Sequence, residues 1–88
     1  RVNMVELFRS GKIQDARKLI IKNARADEYN DIYTWLYKNL DLYTKDDFQY
    51  DSCVLAIREG LIKHTQVADP EINLSATMIE IARTINGN

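Results

Sequence analysis

The chain of 88 residues carries 12 basic and 13 acidic side chains, a formal net charge of −1, with 45% apolar and 28% charged residues. Those proportions describe one globular domain with one core, and the near-neutral balance excludes the sequence-independent phosphate attraction of a dedicated nucleic-acid binder. No apolar run approaches the ~18 residues of a membrane span, Arg1-Val2-Asn3 lacks the apolar stretch of a signal peptide, and the single cysteine, Cys53, fits a reducing compartment. The expectation is a cytoplasmic chain with no membrane partner. Because it opens on Arg1 and runs directly into an amphipathic segment, the chain reads as a piece of something longer.

Three glycines, one proline and no strict apolar alternation argue against strands, so the fold class is all-α. Asn3 caps a first helix to about Arg9, which Ser10-Gly11 stops in the left-handed region. A second helix runs from about Lys12 to Arg25, with Ile13, Ala16, Leu19, Ile20 and Ala24 at three-to-four spacing, closing an antiparallel hairpin. The third begins near Glu28 and carries Tyr29, Ile32, Tyr33, Leu36 and Leu40 on one stripe. Thr44 followed by Asp47 resembles a capping box and starts a fourth helix just before Phe48, ending about Val67. Its stripe is Tyr50, Val54, Ile57, Leu61 and His64. Gly60 sits inside it at a cost of about 1 kcal/mol relative to alanine, which implies close packing at that point. Asp69-Pro70 opens the last helix, which extends to about Ile85, and Asn86-Gly87-Asn88 closes it at what reads as a natural chain end.

Catalytic chemistry is not expected. His64 and Cys53 stand eleven positions apart on one helix, a rise of ~16 Å, and cannot form a nucleophile–base dyad. One cysteine and one histidine do not make a zinc set, and no glycine-rich loop could cradle a nucleotide phosphate, so no catalytic, metal or cofactor residue is assigned. Lys18, Lys22 and Arg25 align with Asp15 on the second helix, which reads either as a weak phosphate contact or as a solvated face with an Asp15–Lys18 pair. Tyr29, Tyr33 and Tyr37 form an i+4 ladder that imitates a base-stacking platform, but the first two belong to the core stripe. Trp35, roughly 60–100° from that stripe, fits either an interface or a wide core.

The last helix is apolar over an arc of about 220°, where an ordinary surface helix buries a stripe little more than 100° wide. Asn73, Thr77, Glu80 and Thr84 take the remaining sector. Leu74, Met78, Ile81 and Ile85 repeat at four, three and four residues, as a domain's own core stripe does, whereas Ile72, Ala76 and Ile79 form a second patch assigned to a neighbouring subunit. A central helix surrounded by its own domain would carry the same pattern.

Two stretches carry a resemblance. Gly11-Lys12-Ile13-Gln14-Asp15-Ala16-Arg17-Lys18-Leu19-Ile20 looks like the glycine, spacer, Ala-Arg and aliphatic pattern of one helical hairpin, and Ala68-Asp69-Pro70-Glu71-Ile72-Asn73-Leu74 resembles an Ala-Asn-Pro-Glu-Ile-Gln-Leu lead into a last helix. Both are features of the C-terminal collar domain of clamp-loader ATPase subunits of the replication factor C small-subunit type, and the wording is most like the T-even bacteriophage members. The likeness covers nearly the whole chain in helix order. It departs at Val67, where the family has glycine, and near Lys63 and His64, where the family has arginine and an aliphatic residue.

The resemblance implies a five-helix collar domain joining sister subunits, identical and different, into a pentameric ring, in a host-cell cytoplasm if the source is viral. An AAA+ module upstream would bind ATP with magnesium, open a sliding clamp and load it on primer–template DNA. A stand-alone helical adaptor with no replication role needs the same apolar excess. A helix-turn-helix DNA reader is weakened by the mixed charge on the second helix.

Overall fold

Local chemistry at the helix ends decides where this chain turns. In the computed structural model, which describes residues 3–87, Asn3 accepts a hydrogen bond from the Val5 amide at 2.9 Å and starts α1 (Met4–Arg9). Gly11, at φ 75°, takes the left-handed turn into α2 (Ile13–Asn23). Arg1, Val2 and Asn88, with the expectations drawn on them, lie outside the described residues. The Asp69 carboxylate accepts from the Glu71 and Ile72 amides and, with Pro70 in the first turn, starts α6 (Pro70–Asn86), which ends on Gly87 at φ 74°.

The remaining boundaries correct the sequence reading. After a 3-10 turn (Ala26–Glu28), α3 (Tyr29–Lys38) stops two residues short of Leu40, and a separate short α4 (Leu40–Tyr43) follows. The break lies at Asn39, whose side chain donates to the Trp35 carbonyl at 2.8 Å, while the Tyr43 hydroxyl donates to the Leu36 carbonyl at 2.7 Å. The Trp35 carbonyl keeps its helical bond from the Asn39 amide at 3.1 Å, and it is at Leu36 that a side chain takes the acceptor the Leu40 amide would use in a continuous helix. The cap of α5 (Asp47–His64) is Asp46, not Thr44. Asp46 accepts from the Gln49 amide at 2.9 Å and the Gln49 side chain accepts from the Lys45 amide at 2.9 Å, while the Thr44 hydroxyl turns back to the Leu40 carbonyl. Among the described residues the architecture is all-helical, 81% helix, with six α-helices where five were expected.

In the layered arrangement α6 packs on α5 and α2, α3 covers α5, and α1 lies against α2 and α4. Phe8 sits fully buried between two rings, 5.0 Å from Trp35 and 5.3 Å from Tyr43, and so joins α1 to the α3–α4 corner. The buried stripe of α5 is Cys53, Ala56, Ile57 and Gly60, turned from the expected one: Tyr50 and Leu61 are exposed, and Val54 and His64 half-buried. Small residues mark this face because α5 approaches its neighbours closely. A β-carbon on Gly60 would overlap the Thr77 hydroxyl and come within 2.7 Å of Tyr33 Cε1.

That approach also turns two residues of α6's polar sector, Asn73 and Thr77, towards the neighbouring helices. Thr77 is buried, and the Asn73 amide donates to the Gly60 carbonyl at 2.8 Å and to the Tyr33 hydroxyl at 3.0 Å. One polar side chain therefore ties α6 to α5 and α3 at the place where the glycine opens room for it. A buried polar group without such partners would be costly.

Candidate functional site

The outer side of α6 is the first candidate surface. Leu74, Met78, Ile81 and Ile85 are sealed in the core, while one helical face away Ile72 is 66% exposed, Ala76 is exposed and Ile79 is half-buried. The strip begins at the Asp69 cap, so its first turn is held rigidly by the same hydrogen bonds that start the helix. At the far end the Asn86 amide donates to the Gly11 carbonyl at 3.3 Å, anchoring the helix to the α1–α2 turn. An apolar strip on a helix fixed at both ends can receive another protein surface without reordering.

Trp35, read from the sequence as either an interface or a core residue, is not on α6's outer side. It is half-buried on α3 with its ring against Phe8, and its buried half serves the core. The tyrosine ladder divides as expected: Tyr29 and Tyr33 are buried, Tyr37 is 55% exposed. Burial raises the pKa of both buried phenols, opposed at Tyr33 by the hydrogen bonds with Thr77 and Asn73 and reinforced at Tyr29 by the nearby Glu71 and Asp69 carboxylates.

The basic ridge is smaller than the sequence implied. Lys18 and Lys22 are exposed on α2 beside Asp15 and border a shallow hollow with Leu7 and Leu19, but Arg25 lies beyond the helix end, in extended backbone. Ala24 ends the helical run, so the stripe cannot extend to Arg25. The Arg25 guanidinium pairs with Asp27 at 3.2 Å, which raises its pKa. Among the described residues the ion pairs are Glu6–Arg9, Arg25–Asp27 and Glu59–Lys63, so the Asp15–Lys18 pair is not formed.

An open groove between α1, α2 and the 3-10 turn is floored by Met4, Leu19, Ile20 and Ala24, with Asn3, Asn23 and Glu28 at its rim. Among the described residues no three His, Cys, Asp or Glu side chains converge as metal ligands. Cys53 is fully buried, and burial pushes its thiol up to about 11; the His64 ring lies 5.6 Å from the Tyr33 ring, tilted 55° to it. No helix is long and apolar enough to cross a membrane among the described residues.

A second apolar surface went unread in the sequence. Phe48, Leu55 and Ile62 on α5 are 74%, 57% and 51% exposed. Their spacing of seven keeps them within about 40° on the helix surface, on the side away from Cys53 and Gly60. The seven-residue repeat was the available signal, hidden because α5 has apolar residues on every side. No protein-family model, curated protein or solved structure matches the chain.

Proposed function

We propose that this chain is an oligomerisation domain, the collar of a sliding-clamp-loader ATPase subunit, which offers the outer face of α6 to a sister subunit. The observation that carries the reading is the division of α6 into a sealed stripe, Leu74, Met78, Ile81 and Ile85, and an open strip, Ile72, Ala76 and Ile79. The family assignment is supported by the Gly11–Ile20 and Ala68–Leu74 stretches, which form the start of α2 and the capped start of α6.

In this role the domain does no chemistry of its own. ATP and magnesium belong to an AAA+ module upstream, whose clamp opening and primer–template binding act through a ring that the collars hold together. Trp35 contributes its accessible edge to the subunit joint, and Lys18 and Lys22 make at most weak phosphate contacts, with Arg25 engaged by Asp27.

The test is assembly of the full-length protein with its sister subunits, followed by native mass measurement. Wild type is expected as a pentamer. Ile79→Lys should prevent assembly by burying an unpaired charge at the joint, while the isolated domain keeps its helical circular dichroism and melting temperature. A pentamer that tolerates Ile79→Lys, or a domain that this substitution unfolds, would overturn the assignment of the face. A full-length protein that stays monomeric beside its sisters but captures an unrelated helix would support the adaptor reading instead.

A further inference from the structure

We infer that the outer face of α5 is a self-association surface that pairs two copies of this chain antiparallel about a two-fold axis at Leu55. This interface goes beyond the α6 joint and uses different residues. Phe48, Leu55 and Ile62 are each more than half exposed and span about 21 Å of helix.

The charges beside them choose the occupant and its direction. On one flank stand Asp51 and Arg58, both exposed, and neither has an ion-pair partner within the described residues. Seven residues apart, they are separated by about 10 Å of rise and cannot reach one another along their own helix. A parallel two-fold would instead set this flank against the opposite flank of the other copy, with Asp51 beside Ser52 and Arg58 beside a Glu59 already paired with Lys63, which leaves Asp51 without a cation. In an antiparallel pair each Asp51 faces the partner copy's arginine, twice by symmetry.

Two independent midpoints coincide. Phe48 and Ile62 are centred on residue 55, and Asp51 and Arg58 are centred between 54 and 55. The difference is half a residue, about 0.8 Å of rise. One axis therefore stacks Leu55 on its own copy, Phe48 on Ile62, and both charge pairs. On the opposite flank Glu59 is already paired with Lys63 at 3.3 Å and meets Ser52 of the other copy, so no like charges oppose each other there.

A single stripe buries less than the ~800 Å² per partner of a standard interface, so association should be weak, with a Kd on the order of 100 μM. Sedimentation equilibrium of the 88-residue chain from about 10 μM to about 1 mM reads this range. Wild type should pass from monomer to dimer, and Leu55→Lys should remain monomeric throughout. Asp51→Arg and Arg58→Asp should each weaken the dimer roughly tenfold, and the double exchange should restore it, because antiparallel symmetry re-creates both pairs.

These positions are exposed, so circular dichroism should be unchanged in every variant; the charge exchanges also test the geometry if Leu55→Lys does not fold. A wild type that is monomeric at the top concentration, or a double exchange no better than the singles, would overturn the proposal. A dimer abolished by Ile79→Lys but untouched by Leu55→Lys would overturn it too, assigning association to α6 and leaving the α6 reading intact.

Discussion

Gly60→Ala tests the close approach of α5 to α6 and α3. In an exposed helix this change would stabilise by about 1 kcal/mol, since glycine is the poorer helix former. Here the added methyl would overlap the Thr77 hydroxyl, lie 2.7 Å from Tyr33 Cε1 and sit 3.2 Å from Thr77 Cβ. Neither neighbour can yield cheaply: Tyr33 is fully buried, and Thr77 is β-branched, buried and bonded to the Asn73 carbonyl at 3.2 Å. Overpacking of this kind costs about 1–3 kcal/mol, and moving α5 outward also strains the Asn73–Gly60 hydrogen bond, worth about 0.5–1.5 kcal/mol. Set against the propensity gain, the net loss should be about 1–3 kcal/mol. For a domain of this size that lowers the melting temperature by roughly 5–20 °C, readable by circular dichroism. The double variant Gly60→Ala/Thr77→Ala should lose clearly less than the sum of its parts, because the overlapping hydroxyl is gone. A Gly60→Ala protein that melts at or above the wild-type temperature would refute the close approach and with it the packing of α5 on α6.

Met78→Ala should cost about 2–5 kcal/mol in urea unfolding, because Met78 is fully buried and truncation leaves a cavity. Asp69→Ala should cost about 1 kcal/mol by the same assay, removing the acceptor for the Glu71 and Ile72 amides, and Asp69→Asn should recover most of it. Stability should fall in alkali. The Cys53 thiol, raised by burial from 9.0 to about 11, binds its proton more tightly in the folded state, so its contribution is complete below pH 9 and lost as pH rises towards 11. Tyr43, raised by burial above its ordinary 10.0, acts in the same direction at higher pH. Chemical denaturation at pH 8 and pH 10.5 should show this loss, and Cys53→Ala should reduce it. For the same reason, thiol labelling of the native chain at pH 8 should be slow and should accelerate on adding urea.

What the sequence determined by itself was local. Asn3, Gly11, Asp69-Pro70 and Gly87 each act on amides or dihedrals within three or four residues, so the ends of α1 and α6 and the turn into α2 could be read without knowing what lay nearby. The core stripe of α6 was legible because Leu74, Met78, Ile81 and Ile85 outweigh the second patch in size and regularity. The tertiary structure decided the rest. At Asn39 the helix breaks because Tyr43, a residue of the next element, takes the Leu36 carbonyl. On α5, apolar residues point in every direction, and periodicity favoured the larger Tyr50 and Leu61 over Cys53, Ala56 and Gly60. Small side chains contribute little apolar area, so they win the buried face only when another helix comes close enough to use the space they leave. Asn73 and Thr77 read only as the polar sector of α6 for the complementary reason: a polar group can be buried only where partners await it, and those of Asn73, the Gly60 carbonyl and the Tyr33 hydroxyl, lie 13 and 40 residues away in the chain.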